Sequence, residues 1–217
     1  MVIGKEFAWA HIPKTGGCTT LALFEMFPEL LEHADPSDSN TKHSLFRDCG
    51  PEIEGKLLVA TIRRLPEWML DRAMHETLEG LWPDYRPRPM RSPHQICQTQ
   101  FADGWISYMT DFGRLKIDRW LRLEHLREDF LALVSEFMEV DDERRQAVFD
   151  APRHHVVEYD MEPLHWFTPD QIRTMYEHNP LWAAVERGAY KEWPRMPSPG
   201  EPVAAHAHDH HHHDHSH

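Results

Sequence analysis

The sequence predicts one α/β domain with a parallel central sheet flanked by helices. Two runs of strand-forming residues, EFAWAHI and KLLVATI, each lead through a short turn into a segment with apolar residues at helical spacing. KLLVATI is almost continuously apolar, as is typical of a parallel strand that is covered on both faces. Strands that alternate with helices in this way indicate an α/β fold. We expect this domain to span residues 1–193.

The first strand, turn and helix occupy the N-terminal part of the chain. The strand is predicted at 6–12 and the helix at 18–27, where Pro28 ends it. Residues 28–42 are rich in proline, aspartate and serine, so a loop is expected there. The sequence HIPKTGG between the first strand and the first helix is therefore a strand-to-helix turn.

The second unit joins the strand at 56–62 to a helix that opens with Pro66, because proline is favoured in the first helical turn. Residues 81–93 contain too much proline for regular structure and are expected to form a loop. The remaining elements are predicted from the same apolar patterns. They are a helix at 102–109, a strand at 117–124, and helices at 126–138, 168–179 and 180–188.

Composition and charge restrict the partners of this protein. The chain has 217 residues, of which 41% are hydrophobic, and this is enough for the core of one domain. Its formal net charge is −13, and such an acidic protein lacks the basic surface that general nucleic-acid binding requires. We therefore expect no nucleic-acid partner, and any bound anion must be held by a local arrangement of groups.

Cysteine content and hydropathy favour a cytoplasmic protein. Cys18, Cys49 and Cys97 are widely spaced and odd in number, which fits reduced thiols better than a disulfide framework or a zinc site. No apolar run approaches the roughly 20 residues of a membrane helix. The N-terminal segment also carries Lys5 and Glu6 where a signal peptide is apolar. We expect a cytoplasmic location and no membrane span.

Residues 194–217 are predicted to form a separate, disordered linker and tail. The linker is rich in proline and glycine, and the tail AAHAHDHHHHDHSH is too polar to bury a core. Histidines at this density chelate zinc, nickel or copper, so a native metal-binding tail and a purification tag both remain open interpretations. The central run consists of His210, His211, His212 and His213.

HIPKTGG, residues 11–17, is the motif with the clearest chemistry. Its lysine precedes the two glycines, whereas in the common nucleotide-binding loop the lysine follows them. Phosphate binding remains possible in physical terms, because backbone amides at a helix start point toward a bound anion and glycines allow its close approach. The predicted anion-binding residues are Lys14, Thr15, Gly16, Gly17, Cys18 and Thr19.

HIPKTGGCTT resembles the 5′-phosphosulfate loop of sulfotransferases that use 3′-phosphoadenosine 5′-phosphosulfate (PAPS), especially the carbohydrate sulfotransferase branch and its bacterial relatives. The resemblance continues in order through TIRRLPEWMLDRA, HQICQTQFA, WLRLEHLREDFLALV and FTPDQIRTMYEHNPLWAAVERGAY. Together these segments cover most of residues 6–190. The resemblance implies a P-loop-like sulfotransferase fold, PAPS as the donor, and transfer of a sulfonate group to an acceptor hydroxyl by in-line displacement.

TIRRLPEWMLDRA is similar to the family's second motif, in which an arginine and a serine eight residues later bind the 3′-phosphate of PAPS. Alignment on Pro66 places Arg64 at the arginine and Arg72 at the serine, while Leu65 stands where the family has Asn or Asp. An arginine can bind phosphate through two hydrogen bonds. The resemblance implies that Arg64 and Arg72 contact the 3′-phosphate, and a changed donor or an inactive relative is the alternative.

The family's reaction needs a base for the acceptor hydroxyl and cations for the developing charge. His43 in TKHSLF stands where bacterial relatives carry a Lys-His pair, and an imidazole suits this task near neutral pH. Lys14 would stabilise the leaving phosphate, and Lys42 is a candidate second cation at the sulfonate. For Lys42 and His43 the alternative is an exposed loop side chain. No catalytic metal is expected.

The proline-rich loop supplies candidate groups for binding the acceptor. Aromatic rings and guanidinium groups together suit a sugar or an aromatic molecule that carries negative charge. A basic loop that only offsets the acidic body is the alternative. We expect a small-molecule or carbohydrate acceptor. The candidate residues are Arg86, Arg88 and Arg91, with Trp82 and Tyr85 beside them.

Two other classes of function remain open from the sequence. One is a kinase-like or otherwise altered P-loop-like nucleotide binder, although no aspartate at the end of an apolar strand stands out as a magnesium ligand, and Asp118 is poorly placed for this role. The other is a metal-handling protein that acts through its histidine-rich tail. Magnesium-dependent binding of ATP would indicate the first class, and loss of metal on removal of residues 201–217 the second.

Overall fold

A computed structural model describes residues 1–35, 44–78, 90–154 and 159–191. A five-stranded sheet of order β3-β1-β2-β4-β5 lies at its centre. This architecture confirms the predicted α/β fold. The strands are β1 (Val2–Gly4), β2 (Phe7–His11), β3 (Leu31–Ala34), β4 (Leu57–Ile62) and β5 (Arg119–Arg122).

Helices pack on both faces of this sheet. Within the described ranges, none of them combines the length and the apolar composition that crossing a membrane requires. The helices are α1 (Gly17–Glu25), α2 (Leu65–Leu78), α3 (Pro93–Cys97), α4 (Phe101–Met109), α5 (Leu126–Ser135), α6 (Asp142–Asp150), α7 (Pro169–His178) and α8 (Pro180–Tyr190).

The three parallel strands determine where a ligand can bind. β2 pairs in parallel with β4, which places Ala10 beside Ala60, and β4 pairs in parallel with β5, which places Ile62 beside Arg122. β1 is antiparallel to both of its neighbours, β2 and β3. The carboxyl ends of β2, β4 and β5 therefore meet at one edge of the sheet, where open α/β sheets bind their ligands.

Strand alternation divides the core into two layers. Ala60 and Ile62 of β4 face one cluster, which is completed by side chains from α2, α3, α4, α7 and α8. Val59 faces the other cluster, together with Phe7 and Trp9 of β2 and side chains from α1 and α5. This two-sided burial explains why β4 is almost continuously apolar.

Some elements differ from the expectation. β3 lies within residues 28–42, which were expected to form a loop, and it is an edge strand with partly exposed, polar side chains that give no strand pattern. β1 has only three residues. α6 buries little besides Val148, so it shows no apolar periodicity, although Asp141 caps it by accepting a hydrogen bond from the Arg144 amide.

Candidate functional site

The loop between β2 and α1 has an unusual backbone. Lys14 has a φ of 65° and Gly16 a φ of 77°, so two residues adopt the left-handed conformation within three positions. Between them Thr15 is buried, and its hydroxyl donates a hydrogen bond of 2.6 Å to the Ile12 carbonyl. A left-handed conformation is uncommon for a residue with a side chain, and it is often found at functional sites.

Both glycines of the loop have a structural reason, which is a close contact at Gly17 and a left-handed backbone at Gly16. A Cβ atom on Gly17 would lie 2.3 Å from Nε2 of His11, and a Cβ atom on Gly16 would lie 2.4 Å from Cδ1 of Leu123. The His11 ring is itself fixed, because it stacks on the indole of Trp9 with 5.0 Å between ring centroids. The start of α1 therefore packs closely against the ends of β2 and β5.

This packing leaves polar groups available at the start of α1. Gly16 occupies the N-cap position and has no side chain to cap the helix, and the Thr20 amide bonds its carbonyl at 2.9 Å. In the described part of the chain, no acceptor is found for the amides of Gly17, Cys18 or Thr19, and no carboxylate forms an ion pair with Lys14. A helix start with free amides beside a lysine is an anion-binding arrangement.

Residues from β4 and α2 hold the loop in position. The Arg63 guanidinium donates to the Lys14 carbonyl at 2.9 Å and to the Asp71 carboxylate at 2.8 Å. Asp71 also accepts a hydrogen bond from the Tyr159 hydroxyl. The Trp68 indole donates to the Pro13 carbonyl at 2.9 Å. Since each donor is anchored in the core or by an ion pair, the loop backbone is pre-organised without a ligand.

A second segment meets the start of α1 at Thr19. The hydroxyl oxygen of Thr19, a residue predicted to bind the donor, accepts a hydrogen bond of 3.1 Å from the His154 amide. The chain at His154 therefore lies beside the start of α1, and the preceding Arg153 is exposed. This neighbour is not evident from the sequence, because Thr19 and His154 are 135 positions apart.

Arg64 lies on the opposite side of β4 from the loop. Its guanidinium packs over the Tyr190 ring at 4.3 Å, and its Nη1 atom is 3.7 Å from a carboxylate oxygen of Glu186. The Arg64 amide donates to Glu124. A contact with a donor 3′-phosphate stays a prediction for Arg64, whose guanidinium is engaged with the C-terminal helix in this structure.

The Arg64 guanidinium is surrounded by carboxyl groups whose titration is altered by burial. Glu186 is fully buried and accepts hydrogen bonds from the Leu65 amide and the Tyr176 hydroxyl; burial raises its pKa to about 7. Burial also raises the pKa of Glu67, and the charge of Glu124 acts in the same direction. An anionic ligand that approached Arg64 would meet the Glu124 and Glu186 carboxyl groups.

The structure brings Arg72 and Arg91 together, although the sequence assigned them to the donor and the acceptor separately. Both guanidinium groups lie against the Phe101 ring, with their Cζ atoms 4.2 Å and 5.2 Å from its centroid. Arg91 also donates to Glu76 at 3.4 Å. The two arginines therefore line one cleft.

Several predicted residues lie outside the described residues. These are Lys42 and His43, the loop residues Trp82, Tyr85, Arg86 and Arg88, and the tail histidines His210, His211, His212 and His213. Their predicted roles in proton transfer, acceptor binding and metal binding stay predictions. Across the ranges that the structure does cover, no three side chains of His, Cys, Asp or Glu come together as a metal site.

Arg63, which bonds the loop at the Lys14 carbonyl, was not among the predicted site residues. Residues of a strand alternate between its faces, so Arg63 continues the row of Val59 and Thr61, and Arg64 continues the row of Ala60 and Ile62. The first row faces α1 and the loop. Alternation alone would therefore have assigned Arg63 to the loop, whereas the motif alignment directed attention to Arg64.

Comparison with known proteins identifies the fold. No family model matches the sequence, and no curated protein matches it. Among solved structures, the mouse sulfotransferase SULT7A1 complexed with PAP matches with a TM-score of 0.52, over 88% of this chain and 90% of that chain, at 11% sequence identity. At this identity the match shows the fold alone. The chain has the P-loop-like sulfotransferase fold, and the match does not point to the carbohydrate branch in particular.

We expect Gly17→Ala to be markedly more destabilising than Gly104→Ala. The added methyl group at position 17 would displace His11 or the start of α1, which should lower the free energy of unfolding by about 2 kcal/mol. Gly104 lies in α4 with open space around its Cα, so its substitution should be neutral or stabilising by about 0.5 kcal/mol. Urea denaturation measures both, and equal losses would contradict the close packing of Gly17 on His11.

We expect Glu186→Gln to reduce the pH dependence of stability. The unfolded-state pKa of glutamate is about 4.3, so a folded-state value of about 7 means that the folded protein holds this proton more tightly. Its contribution to the free energy of unfolding is present below the lower value and is lost as the pH rises toward the higher value.

Urea denaturation at pH 5 and pH 8 tests this expectation. The decrease in the free energy of unfolding between these values should be smaller in Glu186→Gln than in the wild type by about 2 kcal/mol. Glu177→Gln, which changes an exposed carboxylate on α7, is the matched control and should follow the wild type. The same decrease in all three proteins would show that Glu186 titrates as an ordinary glutamate.

Proposed function

We propose that this chain is a sulfotransferase that transfers the sulfonate group of PAPS to a hydroxyl group of a small-molecule or carbohydrate acceptor. The observation that carries the proposal is the start of α1, where the free amides of Gly17, Cys18 and Thr19 lie beside Lys14. The fold of a sulfotransferase that was crystallised with PAP supports the same reading. In this proposal the catalytic domain is residues 1–193, and it is cytoplasmic.

The loop would hold the 5′-phosphosulfate part of the donor. Amides at the start of a helix stabilise negative charge, and the two glycines let phosphate oxygens approach the backbone. Lys14 adds a charge that no described carboxylate neutralises. Thr15 contributes through its amide, because its hydroxyl is bonded to Ile12. Arg64 and Arg72 would contact the 3′-phosphate, and the contacts of Arg64 with Glu186 make Arg72 the stronger candidate.

The proposed reaction is an in-line displacement at sulfur. The acceptor oxygen forms a bond to sulfur while the bond between sulfur and the bridging phosphate oxygen breaks, and its electron pair stays on the phosphate. The hydroxyl proton passes to a base, for which His43 is the candidate. Lys14 and the loop amides stabilise the charge that develops on the phosphate. None of these steps requires a resident metal ion.

Acceptor binding is proposed for cationic side chains outside the HIPKTGG loop. Lys42 would contact the transferring sulfonate, and Arg86, Arg88 and Arg91 would bind an acceptor with negative charge. The formal net charge of −13 disfavours nucleic acid and long polyanionic acceptors. Only these few cations are therefore proposed to bind the negative charge of the acceptor. Of the two alternatives, nucleotide phosphotransfer and metal handling, neither has a specific observation in its favour.

We expect Lys14→Ala to weaken the binding of adenosine 3′,5′-bisphosphate at least tenfold, since a charge-assisted contact with phosphate is lost. Isothermal titration calorimetry measures this affinity, with ATP and magnesium as a second ligand. Lys116→Ala is the matched control: this exposed lysine lies before β5, at the sheet edge opposite the loop, and its loss should leave the affinity unchanged.

Two results would contradict the proposed function. One is a bisphosphate affinity that is the same in Lys14→Ala as in Lys116→Ala. The other is magnesium-dependent binding of ATP that exceeds the affinity for the bisphosphate, which would favour a phosphotransferase.

A further inference from the structure

Two arginines share the ring of Phe101 at one end of a small cleft. Arg72 belongs to α2, Arg91 lies directly before α3, and Phe101 is the first residue of α4. Their Cζ atoms are 4.2 Å and 5.2 Å from the centroid of the ring. Three elements that are separate in sequence therefore place two guanidinium groups against one aromatic side chain, which favours each cation through the ring electrons.

The Arg72 guanidinium lacks the partners that buried arginines normally have. Its Nε atom is buried without a hydrogen-bond partner, and no described carboxylate forms an ion pair with it. Burial lowers the pKa of Arg72; the charge of Glu76 opposes this shift, and the charge of Arg91 adds to it. A buried donor without an acceptor costs free energy in the ligand-free protein. A bound anion would remove that cost.

The cleft has more positively than negatively charged side chains. Glu76 is buried and bonds Arg91 at a long 3.4 Å, so two guanidinium groups face a single carboxylate. One positive charge remains in a protein whose formal net charge is −13. A retained positive charge in a cleft of an acidic protein indicates that the cleft meets a negatively charged group.

The size of the cleft limits the ligand. Its free volume is about 10 Å³, which is close to the space of a single water molecule. Besides the two arginines and Phe101, it is lined by apolar atoms of Met69 and Ile96. It therefore admits the end of an anionic group, whose other atoms remain outside, and no complete metabolite.

We propose that Arg72 and Arg91 together bind one anionic group of a ligand, a phosphate, sulfonate or carboxylate, at the Phe101 ring. This inference rests on the proposed function and deepens it. Arg72, assigned to the donor, and Arg91, assigned to the acceptor, become parts of one site. The anion has two possible sources, the 3′-phosphate of the donor and an acidic group of the acceptor. Arg64 is a weaker candidate for binding this anion, since its guanidinium already contacts Glu186 and Tyr190.

The first experiment compares adenosine 3′,5′-bisphosphate with adenosine 5′-monophosphate by calorimetry. If the anion is the 3′-phosphate, Arg72→Ala and Arg91→Ala each lower the preference for the bisphosphate about tenfold and leave the affinity for the monophosphate unchanged. Arg145→Ala removes an exposed arginine of α6 and serves as the control. Arg72→Lys keeps the positive charge and should retain part of the preference for the bisphosphate. Such partial retention would show that the loss in Arg72→Ala comes from the missing charge and not from unfolding.

The second experiment detects an anion that comes from the acceptor. Inorganic sulfate is titrated into protein that is saturated with the bisphosphate, and the side-chain Nε–H signal of Arg72 is followed by NMR. A sulfate-dependent shift of this signal that is weakened about tenfold in Arg91→Ala supports an acceptor site. The signal is assigned by its absence in Arg72→Lys.

The proposal is overturned if folded Arg72→Ala and Arg91→Ala keep the wild-type preference for the bisphosphate and sulfate does not move the Arg72 signal. That result leaves the proposed function intact when bisphosphate binding still depends on Lys14. Conversely, if the bisphosphate binds to no variant, the proposed function fails, and the sulfate titration of the ligand-free protein still tests the two-arginine site by itself.

Discussion

The packing of Gly17 against His11 is the constraint on which the site depends. The imidazole of His11 occupies the space that any other side chain at position 17 would fill, and the ring is fixed in turn by Trp9. Because α1 starts at this contact, its first amides are directed past the end of β2. Arg63 and Trp68 then fix the loop from β4 and α2. The arrangement is complete before any ligand binds.

The electrostatic surroundings of each cation in this protein depend on its neighbours and not on the net charge of the chain. The chain is strongly acidic, yet no described carboxylate pairs with Lys14 or accepts from the first amides of α1. Arg64 differs from Lys14, because its guanidinium lies 3.7 Å from the buried carboxylate of Glu186. Arginines that are adjacent in sequence thus have different tasks, because strand alternation directs Arg63 toward the loop and Arg64 toward the C-terminal helices.

The sequence predicted those parts of the structure that depend on local patterns. The buried strand β4, the strand-to-helix turn at HIPKTGG and the helix α7 each follow from a few neighbouring residues. The edge strand β3 and the polar helix α6 could not be predicted, since they bury too little to show a period. The meeting of Arg72 with Arg91 depends on how α2, α3 and α4 pack, which no local pattern encodes.

The most direct test of the central claim is backbone-amide NMR during titration with adenosine 3′,5′-bisphosphate. The claim is that the start of α1 binds the anionic end of the donor. It predicts the largest downfield shifts at the amides of Gly17, Cys18 and Thr19, because these amides donate to no described protein group and an anion there would accept their hydrogen bonds. Binding that leaves these three amides unchanged and shifts signals elsewhere would contradict it.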